Sequence, residues 1–236
     1  MRRLVGVVVV LLALLVGLDR VAVVYAQSRV AANIRVSQRL SQTPHVTIHG
    51  FPFLTQLFGG TYNDVEASLN AVHRGSLTLT RIDVHLHRAQ VPFGDVISNN
   101  VKRVPVERID GTVTIGYADL ATAGQSGLTL RYDGKGGVRV AGTVRVGGAS
   151  IGADATGRIV VEGRRITVTV DNVTVGGQPA PAAVALAVRQ TFSFSVALPT
   201  LPFGIELRSV RATPGGIVVT AVGTGITLRA SPGTVG

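Results

Sequence analysis

Ser150 stands in Gly148-Ala149-Ser150-Ile151-Gly152, the G-x-S-x-G spacing of a nucleophile elbow. Such an elbow needs a strand, a sharp turn and a helix, with a base histidine downstream of the serine. Here a β-like stretch rich in glycine and valine follows, and all five histidines (His45, His49, His73, His85, His87) lie upstream. A glycine hairpin explains the motif, and hydrolysis through Ser150 is not the expected chemistry. His85-x-His87 puts two imidazoles on one strand face, with Asp83 in the same parity as a third candidate metal ligand. Polar alternation on an amphipathic strand accounts for the same three residues, so no metal is assigned. The sequence has no phosphate-cradling loop and no dinucleotide fingerprint in a βαβ context. It has no cysteine, which excludes disulfides, zinc–thiolate centres, iron–sulfur clusters and thiol nucleophiles. The reading is a protein without a cofactor and without catalytic residues.

What remains is recognition. The formal net charge is +10, and every basic residue except Lys102 and Lys135 is arginine. Arginine suits bidentate contact with phosphate. The arginines are scattered rather than gathered in a stripe, which argues against nucleic acid and leaves phospholipid head groups or acidic glycans as the expected anions. Arg74, Arg81, Arg88, Arg103 and Arg108 lie in or beside long strand patterns and are the candidates for phosphate contact. The reading that competes for each is an ordinary solvated strand face.

The elements that must position them begin with Met1, Arg2 and Arg3, a positive start to the apolar run Leu4–Leu18. Asp19 and Arg20 interrupt this run before Val21–Tyr25 resumes it. Residues 1–26 read as an export signal, either cleaved after Val24-Tyr25-Ala26 or kept as an N-terminal anchor. Residues 27–236 then form one exported domain of the cell envelope or periplasm. Gln27–Leu40 has helical spacing, and His45–His49 alternates as a strand. Leu77–Val91 is the clearest long strand, with a change of phase near Thr80 that predicts a bulge. Val104–Tyr117 alternates again. Leu128–Tyr132, Val138–Val146, Ile151–Val161 and Ile166–Val175 read as a meander broken at glycine turns, Asp133-Gly134 being the strongest of them. Pro181 opens a helix over Ala182–Gln190, and Thr191–Leu198, Ile205–Thr213 and Ile217–Leu228 close the chain as strands. The expected fold is α+β and β-rich: a long curved antiparallel sheet wrapped with two or three helices. With 46% hydrophobic and 15% charged residues, such a sheet has more apolar face than two short helices can cover.

Gly50-Phe51-Pro52-Phe53-Leu54-Thr55-Gln56-Leu57-Phe58-Gly59-Gly60 is the most unusual segment. Pro52 keeps it out of a central strand, and Leu54, Leu57 and Phe58 share one helical face. Leu198-Pro199-Thr200-Leu201-Pro202-Phe203-Gly204 is related in character. Either loop could plug the end of a core; alternatively they gate an apolar cavity or dip into a bilayer. Phe51, Phe53, Leu54, Leu57, Phe58, Phe192, Phe194 and Phe203 are the candidate lipid-binding residues. From Gly50 to Gln56, with Gly59-Gly60 and Asp64 after it, the sequence resembles the LmeA-like phospholipid-binding family of actinobacterial envelope proteins. Val104-Pro105-Val106-Glu107-Arg108, Tyr117-Ala118-Asp119-Leu120, Leu201-Pro202-Phe203-Gly204 and Val210-Arg211-Ala212-Thr213-Pro214 extend the resemblance in order, across residues 20 to 228. The resemblance implies a tubular lipid-binding-like fold and an exported, non-enzymatic binder of phospholipids at the membrane surface. It also implies a part in the maturation of mannan-type envelope glycolipids, beside envelope glycosyltransferases. It supplies no catalytic residues. The alternative from another class is a structural scaffold of the envelope with a filled, ligand-free core.

Overall fold

A computed structural model describes residues 2–74, 77–98, 100–197 and 205–229. The elements are α1 (Arg2–Ser37), β1 (His45–His49), α2 (Phe53–Gly59), β2 (Thr61–Arg74), β3 (Leu77–Gln90), α3 (Phe93–Ile97), β4 (Arg103–Ile115) and α4 (Tyr117–Gly124). They continue with β5 (Thr129–Tyr132), β6 (Val138–Val146), β7 (Ala149–Glu162), β8 (Arg165–Val175), β9 (Gln178–Pro179), α5 (Ala182–Phe192), β10 (Phe194–Ala197), β11 (Glu206–Thr213) and β12 (Gly216–Arg229). The expected α+β, β-rich class holds. The strands form two antiparallel sheets, ordered β1-β2-β3-β4-β12-β11 and β10-β8-β7-β6-β5, with β9 beside β8. The described chain divides into two compact units, one of residues up to Leu69, Asp83–Asp110 and from Gly223, the other of Asn70–Ile82 and Gly111–Val222.

In the first unit, antiparallel pairing sets Val46 opposite Ala67 and Ile48 opposite Val65, with Thr47 and His49 opposite Glu66 and Asp64. Directly paired residues share a face, so one face is apolar and the other charged. β3 continues both faces: Asp83 accepts from the Ser68 hydroxyl at 2.8 Å and His85 approaches Asp64 at 3.4 Å. Val84 and Leu86 therefore point to the apolar side. α1 packs on β1. Val23 and Ala31 are buried, and Val46 and Ile48 are buried on the strand. α1 runs unbroken through the expected signal segment into the expected helix at Gln27. Val21–Tyr25 resumes the apolar run, and neither Asp19 nor Arg20 is a helix breaker.

The second unit is a meander, β5 to β8, paired in sequence order. Val138, Val140 and Val144 of β6, Ala153 and Ala155 of β7, and Ile166, Val168 and Val170 of β8 are buried. α5 lays Val184, Val188 and Phe192 on β6 and β8, at the i, i+4, i+8 spacing of one helix face. Leu120 of α4 is buried as well, and α4 packs on β5. α5 extends through Phe192, and the strand after it starts at Phe194 rather than Thr191. β2, α3 and α4 have no counterpart in the expected elements. At the expected bulge, Thr80 and Arg81 are successive exposed residues after buried Leu79, so the alternation changes phase there. The second aromatic–proline loop, residues 198–204, lies outside the described residues.

Candidate functional site

Gly50 and Pro52 turn the chain from β1 into α2, a helix of 7 residues. Pro52 at its N-cap supplies no side-chain cap. The missing acceptor comes from α1, where the Asp19 carboxylate accepts the Leu54 N–H at 2.8 Å. Arg20 pairs with the same carboxylate and lies over the Phe51 ring, 4.9 Å from its centre. Phe53 is buried against Tyr62, their ring centres 6.3 Å apart. Gln56 is buried too; its amide donates to the His49 carbonyl at 3.1 Å and accepts the Asn63 N–H at 3.0 Å. These bonds tie α2 to the end of β1 and the start of β2. Gly60 closes α2 in the left-handed region (φ 66°), where a side chain would be strained, and its carbonyl accepts the Val91 N–H at 2.9 Å.

With the turn and α2 thus held, Phe51 and Phe58 face outward, 62% and 65% exposed. The Phe58 ring lies 4.9 Å from that of Phe93 in α3. A depression of about 360 Å³ lies beside the pair, bounded also by Gly60, Gln90 and Pro92. Ile97, on the other end of α3, is exposed. Leu54 and Leu57 are half-buried. Of the aromatic candidates, the structure thus brings Phe51, Phe53 and Phe58 together with Leu54 and Leu57, Phe53 as the buried anchor. Phe192 and Phe194 belong to the second unit. Phe192 is 0% exposed and Phe194 is half-buried beside Gly124. Phe203 lies outside the described residues.

A second feature escaped the sequence reading. Val65, Ala67, Val84 and Leu86 share the apolar face that α1 covers at β1, yet all four remain half-exposed. They form a greasy strip between polar strand ends, a surface onto which an acyl chain can lie without stranding a polar group. The alternation of β2 (Asp64, Glu66, Ser68 against Val65, Ala67, Leu69) is the signal that could have found it.

The arginine candidates separate. Arg88 pairs with Glu107 at 3.1 Å, and Arg108 donates twice to one Asp110 oxygen, at 2.7 and 3.1 Å. Arg81 is exposed on β3, and the Arg74 side chain lies outside the described residues. Arg103 is exposed next to Lys102 and has no partner among the described residues. On the charged face, His87 reaches Asp110 at 3.0 Å and Asp64 at 3.7 Å. His85 stacks against His87 at 6.2 Å. Asp83 is spent on Ser68, and among the described residues no three such groups converge to hold a metal. Ser150 pairs with Arg145 inside a hairpin, after Gly147 and Gly148, both at positive φ. That is a two-residue hairpin turn, not a strand-to-helix elbow.

The hydrogen bonds from Arg108 hold the Asp110 carboxyl below the usual aspartate value, against its partial burial, with His87 adding attraction. A depressed carboxyl stabilises the fold above the unfolded value of about 3.9 and loses that contribution as pH falls through the folded value. Arg108→Ala should therefore raise the Asp110 titration midpoint, read by carboxyl-carbon NMR. An unmoved midpoint would refute the assignment to Arg108.

The Tyr117 hydroxyl donates to the Thr213 carbonyl at 2.7 Å, joining the segments 117–120 and 210–214 that carry part of the family resemblance. Comparisons with curated proteins and with solved structures gave no match. A family model for LmeA-like phospholipid-binding proteins matches residues 17–222, from just before Asp19 into β12. With the aromatic turn, the apolar strip and nearly the whole chain inside that match, the chain belongs to the LmeA-like phospholipid-binding family.

Proposed function

We propose that this protein is an exported envelope carrier that holds phospholipid acyl chains along the strip Val65, Ala67, Val84 and Leu86. The observation that carries the reading is this half-exposed apolar strip within a chain of a phospholipid-binding family. Arg103, the candidate arginine without a partner among the described residues, is placed to meet a lipid phosphate. The protein has no catalytic step of its own; it presents lipid, and envelope glycosyltransferases that build mannan-type glycolipids are the proposed recipients. Moving an acyl chain from bilayer to protein exchanges one apolar surrounding for another. The roughly 0.8 kcal/mol per methylene is then nearly balanced, and a carrier can both load and unload.

The test is native mass spectrometry with solvent extraction of the full chain, purified from membranes and stripped of detergent. A stoichiometric phospholipid is expected, and it identifies the cargo. A clean apoprotein that also takes up no lipid from phosphatidylglycerol vesicles would sink the carrier reading and favour an envelope scaffold.

A further inference from the structure

α1 is one helix from Arg2 to Ser37. Exposed apolar side chains line it from Leu4 to Leu18, and Val21, Val24 and Tyr25 prolong the run. It is long and apolar enough to cross a membrane, with a mean hydropathy of 2.7 in its most apolar stretch. Asp19 sits inside this run and is 1% exposed, the one buried charged side chain among the described residues. It is buried because it faces α2, whose first turn it caps through Leu54. Val23 and Ala31 follow it down the same buried side of the helix. The segment before Ala26 is thus built into the fold at a specific polar contact. A signal sequence destined for removal needs no such contact. Cleavage after Ala26 would leave the α2 N-terminus without its acceptor and expose the site that Val23 fills. The family match also opens upstream of Asp19.

From these contacts we infer that residues 1–26 are retained as a membrane anchor and that α2 and α3 are immersed in the outer leaflet beside it. Leu4 to Tyr25 spans roughly 33 Å as a helix, against a hydrocarbon core of about 30 Å. The outer end is marked by Tyr25, whose hydroxyl accepts from Arg29 at 2.9 Å while the guanidinium lies 5.2 Å from the ring centre. A tyrosine with an arginine one turn outward fits the interfacial belt, and Arg35 and Arg39 beyond it meet anionic head groups. Asp19 lies six residues inside that mark, about 9 Å deep. A bare carboxylate at that depth is costly, and the Leu54 N–H with Arg20 answers it. Because α2 hangs from Asp19 and Arg20 lies over the Phe51 ring, Phe51 and Phe58 sit near that depth, where their exposure is to acyl chains rather than water. The placement in the outer leaflet rests on the export reading above, whereas the retained anchor does not depend on what the strip on β2 and β3 binds.

The chain has no cysteine, so single-cysteine reporters are clean. The full chain carrying Phe58→Cys or Thr143→Cys, both at exposed positions, would be produced in a bacterium and labelled in sealed spheroplasts with a membrane-impermeant maleimide. Labelling at 58 should be at least about tenfold slower than at 143 and recover in detergent. The intact mass of membrane-extracted protein should include residues 1–26. A mature N-terminus at Gln27, or equal labelling at the two positions, would overturn the inference.

Discussion

Phe192→Ala should destabilise the β5–β8 meander by about 3–5 kcal/mol, the range for removing a fully buried phenylalanine. The ring is 0% exposed at the end of α5 and faces Gly142 on β6, where an added Cβ would lie 3.2 Å from it. A residue without a side chain beneath a large ring is how this core reaches normal packing density. Truncating the ring opens a cavity over Gly142 that α5 cannot fill, because Val184 and Val188 are already packed on the sheet. At about 2–4 °C per kcal/mol for a domain of this size, the melting temperature should fall by roughly 6–20 °C. Thermal unfolding followed by circular dichroism, with the lipid content of the same sample, separates the two roles open to this residue. A core ring lowers the melting point. A ring lining a lipid groove would leave the melting point within about 2 °C of the parent, remove bound lipid, and return Phe192 to the binding surface.

The sequence shows that Phe192 is hydrophobic but not what it touches. Its spacing from Val184 and Val188 places it on one stripe of α5, which was readable; that the stripe meets Gly142 was not. Strands such as β1 and β6 are legible because β-branched residues alternate cleanly with polar ones. β2 alternates just as well, but Asn63, Ala67 and Asn70 are weak strand formers and mask it. α4 has 8 residues, too few turns for a period to show. The aromatic turn at Phe51–Phe58 stands out from composition alone. Its attachment does not, since Asp19 and Leu54 are 35 positions apart and no local pattern links them. Among the arginines, Arg108-x-Asp110 is a same-face strand pair and announces its own neutralisation, whereas the Arg88–Glu107 pair depends on tertiary packing.

Val84→Asp should abolish stoichiometric lipid retention while leaving the protein folded, and Leu86→Asp should do the same independently. Both positions are half-exposed on the apolar face, so the aspartate keeps its hydration in the lipid-free protein and costs the fold little. An acyl chain laid across the strip would strip that hydration, with no cationic partner assured on this face. Arg88 and Arg108 already pair with Glu107 and Asp110. A penalty of about 3 kcal/mol, modest for a carboxylate covered by methylenes, lowers affinity roughly 150-fold at 1.4 kcal/mol per decade. That exceeds what a near-balanced exchange with the bilayer can absorb. Thr143→Asp, on an exposed position of β6, is the matched control for an added charge and should keep its lipid. The readout is the lipid adduct in native mass spectra beside the melting temperature of each variant. Two folded strip variants that still carry one lipid per chain would move the acyl site off this face. A loss confined to the strip variants fixes the acyl chain beside α1, on the face the same helix already covers at Val46 and Ile48.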